Sequence, residues 1–209
     1  MNNLKLEDLS IKEFLAKTAS DSPVPGGGSI AALSAAIAAS LSEMVAKLTI
    51  GKKGYEANKE QMKGIAKDAA EYRNKLIKDI DRDSDAYNDV LAAFRLPKGN
   101  KEEENNRKQA IQDAFKKASL VPLDVAKNAF KIIELADGVV KHGNKNAVTD
   151  GAVAVMMART AALSALYNVK INLASIKDKD FVERIRKDVT GLESEIENKE
   201  REILLSLSI

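Results

Sequence analysis

Apolar side chains recur every three to four residues along most of this chain, and that spacing predicts α-helices. The clearest stripe lies between residues 76 and 94 and consists of Leu76, Ile80, Tyr87, Val90 and Phe94. Strict alternation of polar and apolar residues, which would indicate β-strands, is nearly absent. The pattern therefore predicts an all-α fold, built as an antiparallel bundle of long helices.

Caps and helix breakers predict where these helices begin and end. Ser10 and Glu13 form a capping box that opens a short helix through Ala19. Pro122 is expected to kink or restart the chain within the fourth long helical segment. Because the chain has 209 residues and no linker-like stretch, we expect a single helical domain over residues 1–209. The other predicted helices cover about 29–48, 55–94, 101–118, 123–140, 152–173 and 178–206.

Composition narrows the function classes. Aromatic residues make up only 4% of the chain, so the core must be built from Ala, Leu, Ile and Val. The 33 basic residues are matched by 31 acidic ones, which argues against a nucleic-acid face. The chain has no Cys and one His, His142, so we expect no disulfide, no thiolate chemistry and no metal site. The polar N-terminus and the charges that break the apolar runs predict a cytoplasmic protein without a membrane span.

The segment PVPGGGS, residues 23–29, is the strongest local signal. Two prolines stiffen the approach to three consecutive glycines, and Ser29 is predicted to cap the helix that follows. Bare backbone at a helix N-terminus suits close contact with an anion or a polar ring. A simple linker turn with a capped helix is the alternative. The small residues of that helix predict close helix packing or pairing of two copies: Ala31, Ala32, Ala35, Ala36, Ala38 and Ala39.

One acidic residue of the segment DIDRDSDAYND lies inside the apolar stripe. Asp83 falls between Ile80 and Tyr87, whereas Asp81, Asp85 and Asp89 point elsewhere on the helix. A carboxylate in apolar surroundings is costly unless it is paired or functional, and desolvation raises its pKa. Asp83 is therefore a candidate for proton transfer. The alternative is a core aspartate that caps a neighbouring helix or pairs with a lysine.

Other polar residues are weaker candidates. Asn168 and Asn172 stand at i and i+4 and so share one helix face, where they suit contact with a heteroaromatic ring or a neighbouring helix. Lys52 and Lys53 follow the second helix, where they offset its dipole and are placed to meet an anionic ligand tail. Asp150 is interpreted first as a helix cap. Arg159 is expected to pair with an acid from another helix, and His142 to compensate a helix dipole.

Taken together, these residues resemble the cyclodeaminase/cyclohydrolase family of tetrahydrofolate enzymes. The resemblance covers about three quarters of the chain, from Pro23 to Leu173, and depends on the order and spacing of all its pieces. Leu120 is a small departure, since the family usually has Ser directly before Val-Pro. The matching pieces are PVPGGGS, MVAKLTIGKKGYE, DSDAY, RLPK, ASLVPLDVA, GNKNAVTD and NVKINL.

The resemblance implies an all-α homodimer with a folate site near the subunit boundary. It assigns proton transfer to Asp83, with Asp81 second, and the glutamate tail of the folate to Lys52 and Lys53. It implies no metal and no cofactor beyond the tetrahydrofolate substrate. The remaining substrate-binding residues that it implies are Pro25, Gly26, Gly27, Gly28, Ser29, Asn144, Asp150, Asn168 and Asn172.

Two reactions fit the resemblance. A cyclodeaminase converts 5-formimino-tetrahydrofolate to 5,10-methenyl-tetrahydrofolate and ammonia, and a cyclohydrolase interconverts the 5,10-methenyl and 10-formyl forms. The sequence does not separate them. A hypothesis from another class is a non-catalytic helical dimer that binds a small ligand or a partner helix. It explains the long helices but not an aspartate in an apolar stripe.

Overall fold

The computed structural model describes residues 5–207, and every regular element in that range is helical. The all-α prediction is therefore confirmed. Short 3-10 helices cover Leu6–Asp8, Glu56–Asn58 and Lys145–Ala147. The α-helices are α1 (Ile11–Thr18), α2 (Gly27–Thr49), α3 (Lys59–Phe94), α4 (Lys101–His142), α5 (Val148–Leu173) and α6 (Lys179–Leu205).

Helix α2 lies at the centre of the bundle. It packs against α3, α4 and α5, while α6 packs on the outside against α5 and α4. Short connections reverse the chain between the long helices, which places the start of α2 near the end of α5. Two segments, Gly27–Thr49 and Lys145–Leu173, are long and apolar enough to cross a membrane by length and composition alone. Both contribute to the core, with 61% and 50% of their most apolar windows buried.

The alanine face of α2 is buried inside the chain. The six alanines between residues 31 and 39 are at most 4% exposed and belong to the main core. The expectation that this face offers a surface to a second copy is therefore wrong, because α3, α4 and α5 of the same chain already cover it. The exposed apolar residues of α2 are Ile37, Met44 and Leu48, at 42%, 38% and 51%.

Helix α4 continues through Pro122 without restarting, as one helix of 42 residues. The expected restart is therefore wrong. Proline has no N–H, so the carbonyl of Ala118, one turn earlier, has no partner in the helix ladder. The side chain of Asn172 on α5 fills that role and donates to the Ala118 carbonyl at 2.8 Å. A neighbouring helix thus satisfies the group that the proline leaves unpaired.

The N-terminal segment is fastened to α3. Asp81 accepts hydrogen bonds from the backbone N–H groups of Leu6 and Glu7, at 2.8 and 3.0 Å, and Leu6 inserts into the core. The predicted capping box of Ser10 and Glu13 is present at the start of α1. These contacts hold the segment that leads into the glycine-rich loop.

Candidate active site

A cavity of about 480 Å³ opens where the N-terminus of α2 meets α3, α4 and α5. Its polar lining brings together residues that are far apart in the sequence but were singled out by it: Gly26, Gly27, Gly28, Asp83, Asn168 and Asn172. Pro25 lies buried in the same loop and follows a cis peptide bond, and Ser29 lies in the first turn of α2. The structure therefore brings six of the thirteen predicted site residues together in the lining of one cavity, with Pro25 and Ser29 next to them in the chain.

Asp83 and Gly28 are in direct contact. A Cβ added to Gly28 would overlap the carboxyl group of Asp83. Gly27 is less constrained, because a Cβ there would lie 3.4 Å from Asn168 Nδ2, an ordinary van der Waals distance. The glycine at position 28 is thus required by the close approach of a carboxylate to the helix backbone. This approach places Asp83 at the positive end of the α2 dipole.

Helix α2 begins earlier than predicted. Gly26 is its N-cap, and Ser29 lies within the first turn, fully buried, so the prediction that Ser29 caps the helix is wrong. Ser29 instead joins α2 to α3. Its hydroxyl donates to the Ile80 carbonyl at 2.8 Å and lies 3.2 Å from Ser84 Oγ and 3.4 Å from Asp83 Oδ2. These contacts fix the register of the two helices beside the carboxylate.

Burial raises the pKa of the Asp83 carboxyl group, and the hydroxyl and backbone N–H of Ser29 partly oppose that rise. The prediction of an aspartate desolvated by an apolar stripe agrees with this environment. A carboxyl group with a raised pKa both accepts and donates a proton more readily near neutral pH than an exposed one. Asp83 therefore has the properties of a general acid–base group.

The amide side chains of Asn168 and Asn172 line the same cavity, one helical turn apart on α5. Asn168 Nδ2 donates to the Ser164 carbonyl at 2.9 Å. Asn172 Nδ2 donates to the carbonyls of Ala118 and Asn168 at 2.8 and 2.9 Å. Both hydrogens of Asn172 Nδ2 and one hydrogen of Asn168 Nδ2 are engaged with backbone, so each side chain leaves its amide oxygen free as an acceptor, and Asn168 also keeps one free N–H.

Aromatic and aliphatic side chains form the rest of the lining. Tyr87, Phe94 and Phe115 lie on α3 and α4, and Phe94 meets Phe115 edge-to-face with ring centroids 6.1 Å apart. The sequence placed Tyr87 and Phe94 in the α3 stripe but gave them no role in the site, and it did not single out Phe115. Because the chain has only 4% aromatic residues, the presence of Tyr87 and Phe94 in one stripe was a signal in the sequence that could have assigned them to the site.

Asp81 lies apart from this cavity. It lines a separate depression with Lys5, Lys78 and Arg82, and its carboxylate accepts the two backbone bonds that fasten the N-terminal segment. Two positions along a helix turn a side chain through more than half a revolution, which separates Asp81 from Asp83. The structure thus gives Asp81 a structural role and does not place it with Asp83.

The other predicted binding residues lie at the far end of α2, which is roughly 34 Å long. Lys52 donates to Asn144 Oδ1 at 2.5 Å, and the Asn144 N–H donates to Thr49 Oγ1 at 2.8 Å. Lys53 is exposed beside them. Asp150 lies inside the first turn of α5, whose N-cap is Ala147, so the interpretation of Asp150 as a helix cap is wrong. Within one chain, these four residues do not reach the cavity that contains Asp83.

A model of the formiminotransferase-cyclodeaminase family matches residues 10–191. The chain belongs to this family. Its relatives include the methenyltetrahydrofolate cyclohydrolase of Methylorubrum extorquens, which is 38% identical over 89% of each chain.

Other members of the formiminotransferase-cyclodeaminase family are similar over nearly the whole chain. The formimidoyltransferase-cyclodeaminase of Rattus norvegicus is 30% identical over 97% of this chain, which spans only 37% of that longer protein. The crystal structure of formiminotetrahydrofolate cyclodeaminase from Thermotoga maritima superposes with a TM-score of 0.85 and 31% identity, covering 95% of this chain and 96% of the other. This chain therefore has the same arrangement of helices as a solved formiminotetrahydrofolate cyclodeaminase.

Proposed function

We propose that this protein is a tetrahydrofolate one-carbon enzyme that opens and closes the bridge between N5 and N10 of its substrate. The observation that carries the proposal is the Asp83 carboxyl group, half-buried and held against Gly28 at the start of α2. We favour methenyltetrahydrofolate cyclohydrolase, because the Methylorubrum extorquens relative matches this chain over most of both lengths. Cyclodeaminase is the second candidate, supported by the likeness to the Thermotoga maritima structure.

In the cyclohydrolase reaction, water adds to the methenyl carbon and a tetrahedral intermediate forms. Asp83 accepts a proton from the attacking water, and its negative charge stabilises the amidinium-like cation of the substrate. The bond from the carbon to N5 then breaks, N5 receives a proton from Asp83, and 10-formyl-tetrahydrofolate leaves. One proton is released overall. In the deaminase reaction, N10 attacks the carbon of the protonated formimino group, Asp83 moves the N10 proton to the amino group of the tetrahedral intermediate, and ammonia leaves as the methenyl cation forms. In both reactions the protein's own task is to transfer protons, so we propose no cofactor beyond the tetrahydrofolate substrate and no metal.

The cavity offers both the hydrogen-bond donors and the acceptors that a pterin requires. Backbone N–H groups at Gly26 to Gly28 offer donors, whereas Asn168 and Asn172 offer acceptor oxygens. The aromatic side chains of α3 and α4 provide a flat apolar surface for a ring system. We therefore propose that the substrate places its reacting carbon beside Asp83, with ring edges bound by backbone and amide groups.

We propose that the protein works as a homodimer. Exposed apolar side chains form a stripe on α2 (Ile37, Met44, Leu48) and another on the adjacent α5 (Val153, Met156, Tyr167, Ile171). Ile171 also lines the cavity, so the α5 stripe runs into the site. A two-fold axis near the middle of α2 would bring the far end of a second copy to this cavity. Lys52 and Lys53 of that copy would then meet the glutamate tail of the folate.

We propose a cytoplasmic location and no nucleic-acid or membrane partner, in keeping with the near-balanced charge of the chain.

The deciding experiment is an assay of the purified protein with 5,10-methenyl- and 5-formimino-tetrahydrofolate. Loss of methenyl absorbance from the first substrate supports the cyclohydrolase, and gain of methenyl absorbance from the second supports the cyclodeaminase. Folate binding without turnover of either compound would favour the non-catalytic ligand-binding dimer.

A further inference from the structure

The hydrogen-bond ladder of α4 is interrupted beside the candidate active site. Pro122 lacks an N–H, so the Ala118 carbonyl is left without its ladder partner. Both residues are buried, and a buried carbonyl without a hydrogen bond is costly. Asn172 Nδ2 supplies the missing bond at 2.8 Å. The proline on α4 and the amide on α5 are therefore complementary parts of one contact.

This contact determines which way the Asn172 amide faces. Its two partners, the carbonyls of Ala118 and Asn168, are both acceptors, so the atom that meets them must be the nitrogen. Both amide hydrogens are thereby used. The oxygen Oδ1 is left as the free polar atom of a side chain that lines the cavity. The vacant carbonyl at Ala118 thus fixes Asn172 as a hydrogen-bond acceptor toward a ligand.

We infer that Pro122 is a positioning residue for substrate binding and acts through Asn172. The inference rests on the proposed function, in which Asn172 accepts a hydrogen bond from an N–H group at the edge of the pterin. Any residue other than proline at position 122 would bring an N–H that bonds the Ala118 carbonyl within α4. The Ala118 carbonyl would then be shared between two donors, so its bond to the Asn172 amide would weaken and the orientation of that amide would be less strongly fixed. Ligand binding would weaken, although no atom of Pro122 itself lines the cavity.

The test is a double-mutant cycle between positions 122 and 172, with turnover measured on whichever tetrahydrofolate compound the wild type converts. Pro122→Ala and Pro122→Val both restore the N–H, and valine also keeps most of the buried volume. We expect KM to rise about 2- to 5-fold, because the bond is weakened by sharing and not lost, with kcat changed by less than about twofold. Adding either change to Asn172→Ala should raise KM no further.

Leu120→Ala is the matched control, because Leu120 lies on the same turn of α4 and is 40% exposed. It should leave KM unchanged. An unchanged KM in the Pro122 variants, or an equal increase with and without Asn172, would overturn the inference.

Nuclear magnetic resonance of the Asn172 side-chain amide in the ligand-free protein gives a readout independent of activity. Its hydrogens should exchange faster with solvent in Pro122→Val than in wild type, and equal exchange would also overturn the inference. Failure of the wild type to convert any folate would instead count against the proposed function.

Discussion

The carboxyl group of Asp83 occupies the space in which a side chain at position 28 would begin. The glycine and the aspartate come from different helices, α2 and α3, and each restricts the other. The carboxylate is placed at a helix N-terminus because Gly28 has no side chain, and Gly28 tolerates no side chain because the carboxylate is there. This mutual requirement leads directly to the first prediction.

Gly28→Ala should reduce turnover by about 100-fold, because the new methyl group must displace the Asp83 carboxyl group from its position. Gly27→Ala is the control. Its Cβ would meet Asn168 at an ordinary contact distance of 3.4 Å, so turnover should fall much less. Kinetics and thermal unfolding of both purified variants check the prediction. Equal activity of the two variants would show that the contact between positions 28 and 83 has no part in catalysis.

Asp83→Asn should preserve the fold and lower kcat by roughly 100-fold or more, the usual scale for loss of a general acid–base group. Asp81→Asn keeps the shape of a residue two positions away but weakens its bonds to the Leu6 and Glu7 N–H groups. It should cost about 1 kcal/mol of stability and leave kcat close to wild type. The assignment of roles would be wrong if both variants lost the same activity.

The stability difference between Asp83→Asn and wild type should depend on pH. Burial raises the folded-state pKa of Asp83 above its unfolded value, so the folded protein binds this proton more tightly than the unfolded chain does. The resulting stabilisation is complete below the unfolded pKa and is lost as pH rises through the folded pKa. Asn does not titrate. The Tm of the variant relative to wild type should therefore rise as the pH increases above about 4, the unfolded pKa of an aspartate, and a difference independent of pH would contradict the raised pKa.

A charge on the exposed apolar stripes should weaken dimerisation and activity together. Met44→Arg on α2 and Met156→Arg on α5 each place a cation on a surface that the proposed dimer buries. Leu205→Arg is the control, since Leu205 on α6 is 80% exposed and outside both stripes. Sedimentation and turnover would be measured on the same samples across a dilution series. A monomer with full activity would refute the idea that two copies build the site.

Helical periodicity was sufficient for the fold class and for the main catalytic candidate. The three- and four-residue spacing of Ile80, Asp83 and Tyr87 is a local property, and the structure keeps it along α3. The ion pair predicted for Arg159 with an acid of another helix is also present, at 3.1 Å from Glu200. The stripe depends on one helix alone, and an ion pair was expected because Arg159 is a single charge on an otherwise apolar stretch of its helix, although the sequence did not identify Glu200 as the partner.

The specific contacts that two helices make with each other were not accessible from sequence. Ser29 has the side chain of a good N-cap, but a cap must lie at the helix boundary, and α2 already begins at Gly27 with Gly26 as its N-cap. Pro122 carries a local signal for a break, which Asn172 overrides from another helix. Lys52 and Asn168 both had plausible ligand roles, but only the helix lengths reveal that they lie at opposite ends of the bundle.

Because α2 contributes mainly alanines to the core, substitutions there can add side-chain volume but can hardly remove any. In a core of large side chains, a substitution can remove volume and leave a void, and neighbouring groups relax to fill part of it. Around α2 the side chains are already the smallest that keep good helix propensity, so nearly every substitution adds volume between helices in close contact. The exception, Ala to Gly, loses about 1 kcal/mol of helix propensity. Sequence drift is thereby restricted along the central helix, whose first turn contacts the candidate catalytic carboxylate of Asp83 on α3.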